Sequence, residues 1–231
     1  MRIPRAFAFM DLSGFTQLTE TEGDEYAVGL LGTFRAMLRE VCSRRGVRIA
    51  KWLGDGAMMV GVDTMPLLEA ALEIHYRVHW KRAAAEPFAV RTGASAGEVI
   101  LLEGDDYVGR PVNLAARLCD LAASGEVLAD AAVAADVPTW GAVGSTSELM
   151  LRGLERPLPV VRLGMQVLSG PAVPDPVCGI PLTREVAASI SHDALGAEVW
   201  FCSESCRDTW ERRPRPPADE IGSLRTPLLE S

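Results

Sequence analysis

The chain has 231 residues, of which 48% are hydrophobic, enough for one large packed domain and a small second one. Its net charge is −8 and its basic residues cluster in nothing longer than pairs, such as Arg44-Arg45 and Arg212-Arg213, which argues against nucleic acid as a partner, because phosphate backbones need clustered cations. No apolar run reaches the roughly 20 residues of a membrane span, and five cysteines, an odd number, disfavour a secreted disulfide framework, so we expect a cytoplasmic protein that binds no membrane.

The first predicted elements are a strand and a helix that a Ser-Gly turn connects. Residues 6–10 form a short buried strand that ends at Asp11, and the turn at Ser13 leads into a helix that we expect to run to about Arg44. A carboxylate beside the N–H groups at a helix start places a metal ligand next to an anion-binding turn. Ser13 in this position is also typical of a simple helix cap.

Residues 48–62 read as a hairpin of two apolar strands joined by a Gly-Asp-Gly turn. Two polar side chains stand out in it: Lys51 inside the first strand and Asp55 in the turn. A charged residue in an apolar strand is costly unless something requires it. The hairpin alone is compatible with a solvated lysine and an ordinary turn aspartate.

A second helix begins near Asp63 and carries His75 and His79 on one face. The same face holds Leu68 and Leu72, so packing at a subunit contact is favoured over a pair of metal ligands.

The next elements complete an α+β domain. Asn113 and Arg117 lie four residues apart on a third helix and therefore point the same way. The strands are expected at 90–96, 98–102, 126–129 and a final pair around 148–164. This order predicts a ferredoxin-like βαββαβ antiparallel sheet that helices cover on one side.

Proline marks a linker at 169–174, after which the composition changes. The segment 175–214 contains Cys178, Cys202 and Cys206, and the tail at 215–231 is rich in proline and charge, which predicts disorder. Three thiolates in a segment too small for its own core suggest a soft-metal site for zinc or copper. His192 is a possible fourth ligand, and three reduced cysteines that merely pack a ββα unit are the alternative.

Three stretches, in this order, resemble the class III nucleotidyl cyclase catalytic domain. They are Phe9-Met-Asp11-Leu-Ser-Gly-Phe-Thr16, Lys51-Trp-Leu-Gly-Asp55 and Asp106-Tyr-Val-Gly-Arg-Pro-Val-Asn113-Leu-Ala-Ala-Arg117. The resemblance implies the class III cyclase fold over residues 1–168. It also implies a head-to-tail homodimer, with each site shared between two chains.

Each polar residue of these stretches then has an expected role. Asp11, Asp55 and the carbonyl of Leu12 are suited to two Mg²⁺ or Mn²⁺ ions. Arg117 would stabilise charge at the α-phosphorus and Asn113 would hold the ribose. The N–H groups of the 13–16 turn, which comprises Ser13, Gly14, Phe15 and Thr16, would cradle the outer phosphates. Arg152 and Arg156 are further candidates for those phosphates.

The identity of the base follows from hydrogen-bond donors and acceptors. Lys51 donates and Asp106 accepts, which matches N1 and N6 of adenine, whereas guanine would want an acidic residue at 51. ATP is therefore the expected substrate and cyclic AMP with pyrophosphate the expected products. A catalytically silent nucleotide-binding dimer and a guanylate cyclase are the alternatives.

The last segment resembles the YHS domain. The resemblance rests on Asp175-Pro-Val-Cys178-Gly and on Phe201-Cys202-Ser-x-x-Cys206. It implies a small ββα unit whose metal binding or redox state would modulate the cyclase.

Overall fold

The computed structural model of the chain describes residues 2–80, 88–103, 106–150 and 155–213. The chain divides into two units, Met1–Val167 and Leu168–Ser231. The expectations for Arg152 and for the tail at 215–231 fall outside the described residues. No helix within the described ranges combines the length and the apolar composition of a bilayer span.

A mixed sheet organises the first unit. Its strands, as far as the described residues show, are β1 (Arg2–Ser13), β2 (Arg48–Leu53), β3 (Gly56–Gly61), β4 (Ala89–Leu101), β5 (Tyr107–Val108), β6 (Val127–Asp130), β7 (Gly141–Leu149) and β8 (Leu158–Met165). They lie in the order β2-β3-β1-β4-β6-β8-β7, and β5 pairs with β4. The hairpin predicted over 48–62 is confirmed, because β2 and β3 pair antiparallel.

The predicted α+β architecture is confirmed, but two details of the predicted sheet differ from the structure. The expected strands 90–96 and 98–102 are one strand, β4, because β1 pairs with it without interruption from Arg2 opposite Ile100 to Ser13 opposite Ala89. The sheet is not entirely antiparallel, since β4 and β6 pair in parallel. The connection between them contains a helix, and a strand–helix–strand connection returns the chain in the same direction.

The helices of the first unit are α1 (Phe15–Glu22), α2 (Asp24–Arg44), α3 (Thr64–His75) and α4 (Arg110–Leu121) within the described residues. The single helix expected up to Arg44 is broken at Gly23, whose φ of 88° lies in the left-handed region that favours glycine. The N–H of Gly23 still donates to the carbonyl of Thr19 and thereby closes α1. The apolar stripe of α2 is buried at Leu30, Phe34 and Leu38.

His75 lies in the core, and the prediction that it packs at a subunit contact is wrong. Its ring is fully buried, and its Nε2 is 2.9 Å from Oγ1 of Thr92 on β4. Burial and the neighbouring His79 lower the pKa of His75 to about 3, so that the ring stays neutral. His79 lies in the π-helical turn Tyr76–Trp80 and accepts a hydrogen bond from the N–H of Val90.

The second unit is built from short strands and one helix. These elements, within the described residues, are β9 (Val173–Pro174), β10 (Pro181–Leu182), β11 (Ser189–His192), β12 (Glu198–Phe201) and α5 (Glu204–Glu211). Strands β9 and β10 pair antiparallel, as do β11 and β12. The side chain of Ser203 caps α5 by accepting a hydrogen bond from the N–H of Cys206.

Candidate functional site

The end of β1 and the turn between β2 and β3 bring Asp11 and Asp55 to the same region of the sheet. Met10, beside Asp11, pairs with Ala57 on β3, two residues after Asp55. A Cβ added at Gly56 would lie 2.8 Å from the carbonyl oxygen of Met10 and 3.1 Å from Oδ1 of Asp11. The turn therefore approaches β1 this closely because residue 56 is glycine.

The two carboxylates interact electrostatically. The pKa of Asp55 is raised, first by burial and then by the negative charge of Asp11. Leu12, the expected backbone ligand, is buried on β1 opposite Val90. A divalent cation between such carboxylates would relieve both the burial of Asp55 and the repulsion from Asp11, and hard oxygens are the donors that Mg²⁺ and Mn²⁺ prefer.

Arg91 is a residue that the sequence reasoning missed. It lies opposite Asp11 in the β1–β4 register, and its Nε and Nη2 donate to Oδ2 of Asp11 at 3.1 and 2.6 Å. The hydrogen bond to Asp11 raises the pKa of the guanidinium further above its usual value. A sequence signal existed, because an arginine inside an apolar strand is as unusual as Lys51 in β2.

A pocket of about 280 Å³ opens beside Asp11. Its walls come from the end of β1, the β2–β3 turn and the last part of α4, with Phe9, Met10, Asp11, Leu53, Gly56, Ala57, Ala116, Cys119 and Asp120 as its lining. Cys119 is 4% exposed, and burial and the negative charge of Asp11 raise the pKa of its thiol to about 12. The thiol therefore stays protonated at neutral pH.

The 13–16 turn leads directly from β1 into α1. Gly14 has a φ of 77° and begins the helix, whose first internal hydrogen bond runs from the N–H of Leu18 to the carbonyl of Gly14. The N–H groups of the first helical turn consequently lack helical partners. The hydroxyl of Ser13 is buried and has no hydrogen-bond partner among the described residues. Both features fit a polar ligand at this turn.

Lys51 and Asp106 form an ion pair between β2 and the start of β5. Lys51 Nζ lies 2.7 Å from Oδ1 of Asp106, and both side chains are about half exposed. The hydrogen bond from Lys51, with a second one from the N–H of Tyr107, lowers the pKa of Asp106. Exposed ion pairs contribute little to stability, which favours a role in ligand recognition for this pair.

Asn113 and Arg117 are exposed on α4, and each directly precedes a buried leucine, Leu114 or Leu118. The position of α4 depends on Gly93 of β4. A Cβ added there would lie 2.1 Å from the backbone nitrogen of Cys119, so the helix rests directly on the strand. Arg156, a candidate for the outer phosphates, lies exposed in the connection between β7 and β8.

The second unit contains a cluster of buried thiols. Sγ of Cys202 lies 3.4 Å from Sγ of Cys178 and 3.6 Å from Sγ of Cys206. Together with a carboxylate oxygen of Asp175, one ligand atom from each residue lies within 4.8 Å of all the others. Soft thiolates at this spacing are donors suited to zinc or copper.

Asp175, and not His192, is the fourth residue of this cluster. His192 is exposed at the end of β11. Asp175 is 2% exposed, and its carboxylate accepts hydrogen bonds from the N–H groups of Val177, Cys178 and Cys202. Asp175 thus ties together the two chain segments that carry Cys178 and Cys202.

Comparisons with known proteins agree with the fold of the first unit. An uncharacterised protein of Mycobacterium tuberculosis is 38% identical over 150 residues, which are 65% of this chain and 38% of that protein. A protein of Streptomyces coelicolor named adenylate cyclase is 33% identical over 132 residues, 57% of this chain and 34% of its own. The chain therefore spans less than half the length of these curated relatives. No protein-family model matches the sequence.

Solved cyclase structures superpose on the same part of the chain. The adenylyl cyclase CyaB from P. aeruginosa has a TM-score of 0.62 at 23% identity and covers 72% of this chain and 96% of its own. The guanylate cyclase domain of RhGC from Catenaria anguillulae, in complex with GTP, has a TM-score of 0.63 at 15% identity, with coverages of 72% and 100%. The first unit thus has the class III nucleotidyl cyclase catalytic-domain fold, and its sequence is related to adenylate cyclases.

Proposed function

We propose that the first unit is the catalytic domain of an adenylate cyclase, which converts ATP to 3′,5′-cyclic AMP and pyrophosphate. The observation that carries the proposal is the approach of the Asp55 turn to Asp11 at the edge of the 280 Å³ pocket. In the reaction, the ribose 3′-oxygen attacks the α-phosphorus. The bond to the bridging oxygen breaks, pyrophosphate leaves and the hydroxyl proton passes to solvent.

Asp11 and Asp55, with the carbonyl of Leu12, are the residues that would hold two Mg²⁺ or Mn²⁺ ions. The raised pKa of Asp55 supports this assignment, because a cation would relieve its burial and its repulsion from Asp11. When bound, the ions supply Lewis-acid activation of the 3′-hydroxyl and neutralise charge on the polyphosphate. No protein general base is assigned.

The adenine base would be recognised by Lys51 and Asp106. The ammonium of Lys51 can donate to N1, and the carboxylate of Asp106 can accept from the exocyclic amine. Their 2.7 Å contact holds both groups together, so that a purine edge can meet them at the same time. GTP presents the reversed pattern and would be disfavoured.

The remaining assignments concern ribose and phosphates. Asn113 would hold the ribose and Arg117 would stabilise charge at the α-phosphorus. The N–H groups of the 13–16 turn and the buried hydroxyl of Ser13 would bind the outer phosphates. Arg91 is an additional candidate for this role, because it places a cation within 2.6 Å of Asp11.

We further propose a head-to-tail homodimer in which each site combines the metal-binding half of one chain with the base-binding half of the other. Two inactive variants that damage opposite halves test this arrangement. Asp55→Asn and Arg117→Ala, each inactive alone, should recover about a quarter of the wild-type activity when coexpressed, since half of the dimers then contain one intact site of two. Coexpression without recovery would contradict the shared site.

The proposed activity is tested by incubating the purified chain with Mn²⁺ and either ATP or GTP. We expect cyclic AMP from ATP and much less cyclic GMP from GTP. Binding of ATP without any product would favour a catalytically silent nucleotide-binding dimer. A faster reaction with GTP would identify a guanylate cyclase.

For residues 175–214 we propose a YHS domain that binds one zinc or copper ion through Cys178, Cys202 and Cys206. The predicted linker at 169–174 overlaps β9 (Val173–Pro174), which pairs with β10 of this unit. Three sulfur atoms that lie within 4.8 Å of one another support the site. Asp175 accepts three backbone hydrogen bonds. We therefore propose that it positions the thiols and is not itself the fourth metal ligand. Metal binding here would modulate the cyclase.

Native mass spectrometry of the full chain after addition of Zn²⁺ or Cu⁺ tests this second site. We expect one bound ion per chain, and none after replacing Cys202 and Cys206 together by alanine. Cys42→Ala is the control, because Cys42 is a buried thiol on α2 outside the cluster. Equal metal content in all three proteins would contradict the proposed metal site. Identical cyclase activity with and without the metal would contradict its proposed regulatory role.

A further inference from the structure

The turn that carries Asp55 is held from α2 by one arginine. Nη2 of Arg35 donates to the carbonyl oxygen of Gly54 at 2.9 Å, although the two residues are 19 positions apart. The same guanidinium lies 5.0 Å from the ring centroid of Trp52 on β2, within the range of a cation–π contact. Arg35 therefore contacts the strand that enters the turn and the turn itself.

The opposite side of this turn rests on β1. Gly56 approaches the carbonyl oxygen of Met10 and Oδ1 of Asp11 so closely that a Cβ would not fit. Asp55 thus lies between Gly54, which Arg35 holds, and Gly56, which β1 holds. Fixing the backbone on both sides limits the orientations available to the Asp55 carboxylate.

Arg35 reaches the turn from the face of β2 opposite to Lys51. It therefore does not obstruct the proposed adenine contacts of Lys51 and Asp106. Side chains alternate along a strand, so Trp52 and Lys51 point to opposite faces of β2. Trp52 faces α2, where Arg35 and Arg39 contact it, and Lys51 faces Asp106. The contact with α2 is thereby separate from base recognition.

The guanidinium of Arg35 is held in an orientation that is unfavourable for one of its donors. Its Nε is buried and has no hydrogen-bond partner among the described residues. An unpaired buried donor is unfavourable, and an arginine that only covered the surface could avoid it by turning outward. The orientation of the guanidinium is set by its contacts with Gly54 and Trp52.

We propose that Arg35 is a positioning residue that holds the Asp55 turn in its cation-binding geometry. The inference rests on the proposed function, because it assigns Asp55 a divalent ion. Arg39 provides a matched control: its guanidinium lies 5.2 Å from the same Trp52 ring, and within the described residues it makes no hydrogen bond to the turn.

The test compares the full-length wild type with Arg35→Met, Arg35→Lys and Arg39→Met. Methionine keeps the apolar stem and removes the donors, whereas lysine keeps a donor. The first readout is the Mn²⁺ concentration that gives half of the maximal thermal stabilisation. We expect it to rise roughly 3- to 10-fold in Arg35→Met, to be partly restored in Arg35→Lys and to be unchanged in Arg39→Met.

The second readout separates positioning from general destabilisation. In ATP cyclisation, the half-saturating Mn²⁺ concentration should rise by the same factor in Arg35→Met, while KM for ATP at saturating Mn²⁺ stays within about twofold of wild type. Should Arg35→Met fail to fold, Arg35→Leu, which also removes the donors, carries the same expectation. Wild-type half-saturating Mn²⁺ concentrations in Arg35→Met would overturn the positioning role and leave the proposed function standing. A wild type with neither Mn²⁺-dependent stabilisation nor cyclisation would overturn the proposed function and this inference with it.

Discussion

Asp11 and Arg91 face each other across the β1–β4 ladder, and both Nε and Nη2 of Arg91 donate to the same oxygen, Oδ2, of Asp11. The other oxygen, Oδ1, lies on the side of Gly56 and the hairpin turn. A single carboxylate therefore contacts a protein cation with one oxygen and offers the other towards Asp55. This division places a fixed positive charge next to the proposed metal site, where phosphate charge would collect.

Replacing Arg91 by methionine should lower kcat for ATP by about 100-fold or more, because a preorganised cation beside the phosphates would be lost. Thermal stabilisation by Mn²⁺ should persist, since Asp11 and Asp55 remain. Arg156→Met tests the other candidate for the outer phosphates and should lower kcat much less, because Arg156 lies in an exposed connection. Steady-state kinetics with both variants checks this, and the opposite ranking of Arg91 and Arg156 would refute the assignment.

Asp55→Asn should stabilise the metal-free protein at neutral pH. The pKa of Asp55 is raised in the folded chain, so its ionised form destabilises the fold once the pH exceeds the unfolded value of about 3.9. Asparagine removes that charge. In the presence of Mn²⁺ the order should reverse, because only the wild type gains stability from the ion. Thermal melts with and without Mn²⁺ measure both effects, and an unchanged response to Mn²⁺ would exclude Asp55 as a ligand.

Lys51→Glu should reduce kcat/KM for ATP by at least about 30-fold, because a donor to adenine N1 becomes an acceptor facing an acceptor. The new carboxylate would also lie against Asp106, whose pKa should no longer be lowered by an ammonium. Lys51→Ala, which removes the donor without adding a charge, should lose less. The activities of both variants with ATP and GTP test the assignment, and equal losses with the two nucleotides would contradict base recognition by Lys51.

Gly93→Ala should impair both stability and activity. The added methyl group would lie 2.1 Å from the backbone nitrogen of Cys119, so α4 must shift, at a cost of about 1–3 kcal/mol. The shift would displace Asn113 and Arg117 together. Gly164→Ala on β8, where a Cβ meets nothing within 4 Å, is the matched control. Urea unfolding and cyclisation assays distinguish them, and an unaffected Gly93→Ala would show that α4 tolerates movement.

The free energy of unfolding should fall in mild acid because His75 is buried as a neutral ring. Its pKa is lowered to about 3 in the folded chain and is about 6.5 when unfolded, so its contribution is fully present above pH 6.5 and is lost as the pH falls towards 3. His75→Gln, which can still hydrogen-bond Thr92, should flatten the decline by up to about 1.4 kcal/mol per pH unit between pH 6 and 4. Chemical denaturation at several pH values tests this, and parallel curves for both proteins would count against a buried neutral imidazole.

Much of the fold could be predicted from local patterns. The hairpin at 48–62 and α4 follow from strong short-range signals, a Gly-Asp-Gly turn and an apolar helical face. The break at Gly23 was missed because helix lies on both sides of it, and the backbone angle at a glycine cannot be read from periodicity. The parallel pairing of β4 and β6 depends on strand order, which no local pattern specifies.

The candidate site shows the same division between local and long-range information. Asp11, Lys51 and Asp55 were recognisable because each interrupts an apolar strand or occupies its end. Arg91 interrupts β4 in the same way, but its pairing with Asp11, 80 positions away, cannot be read from that signal. The contact of Asp175 with Cys202 likewise spans 27 positions. Register across a sheet and closure of a loop by backbone N–H groups become visible only in three dimensions.

The central claim is tested most directly by quantifying both products formed from ATP by the purified full chain with Mn²⁺. Cyclisation predicts cyclic AMP and pyrophosphate in equal amounts from the wild type, and neither from Asp11→Asn. ATP that remains intact, or that yields ADP and phosphate in place of the cyclic product, would contradict it.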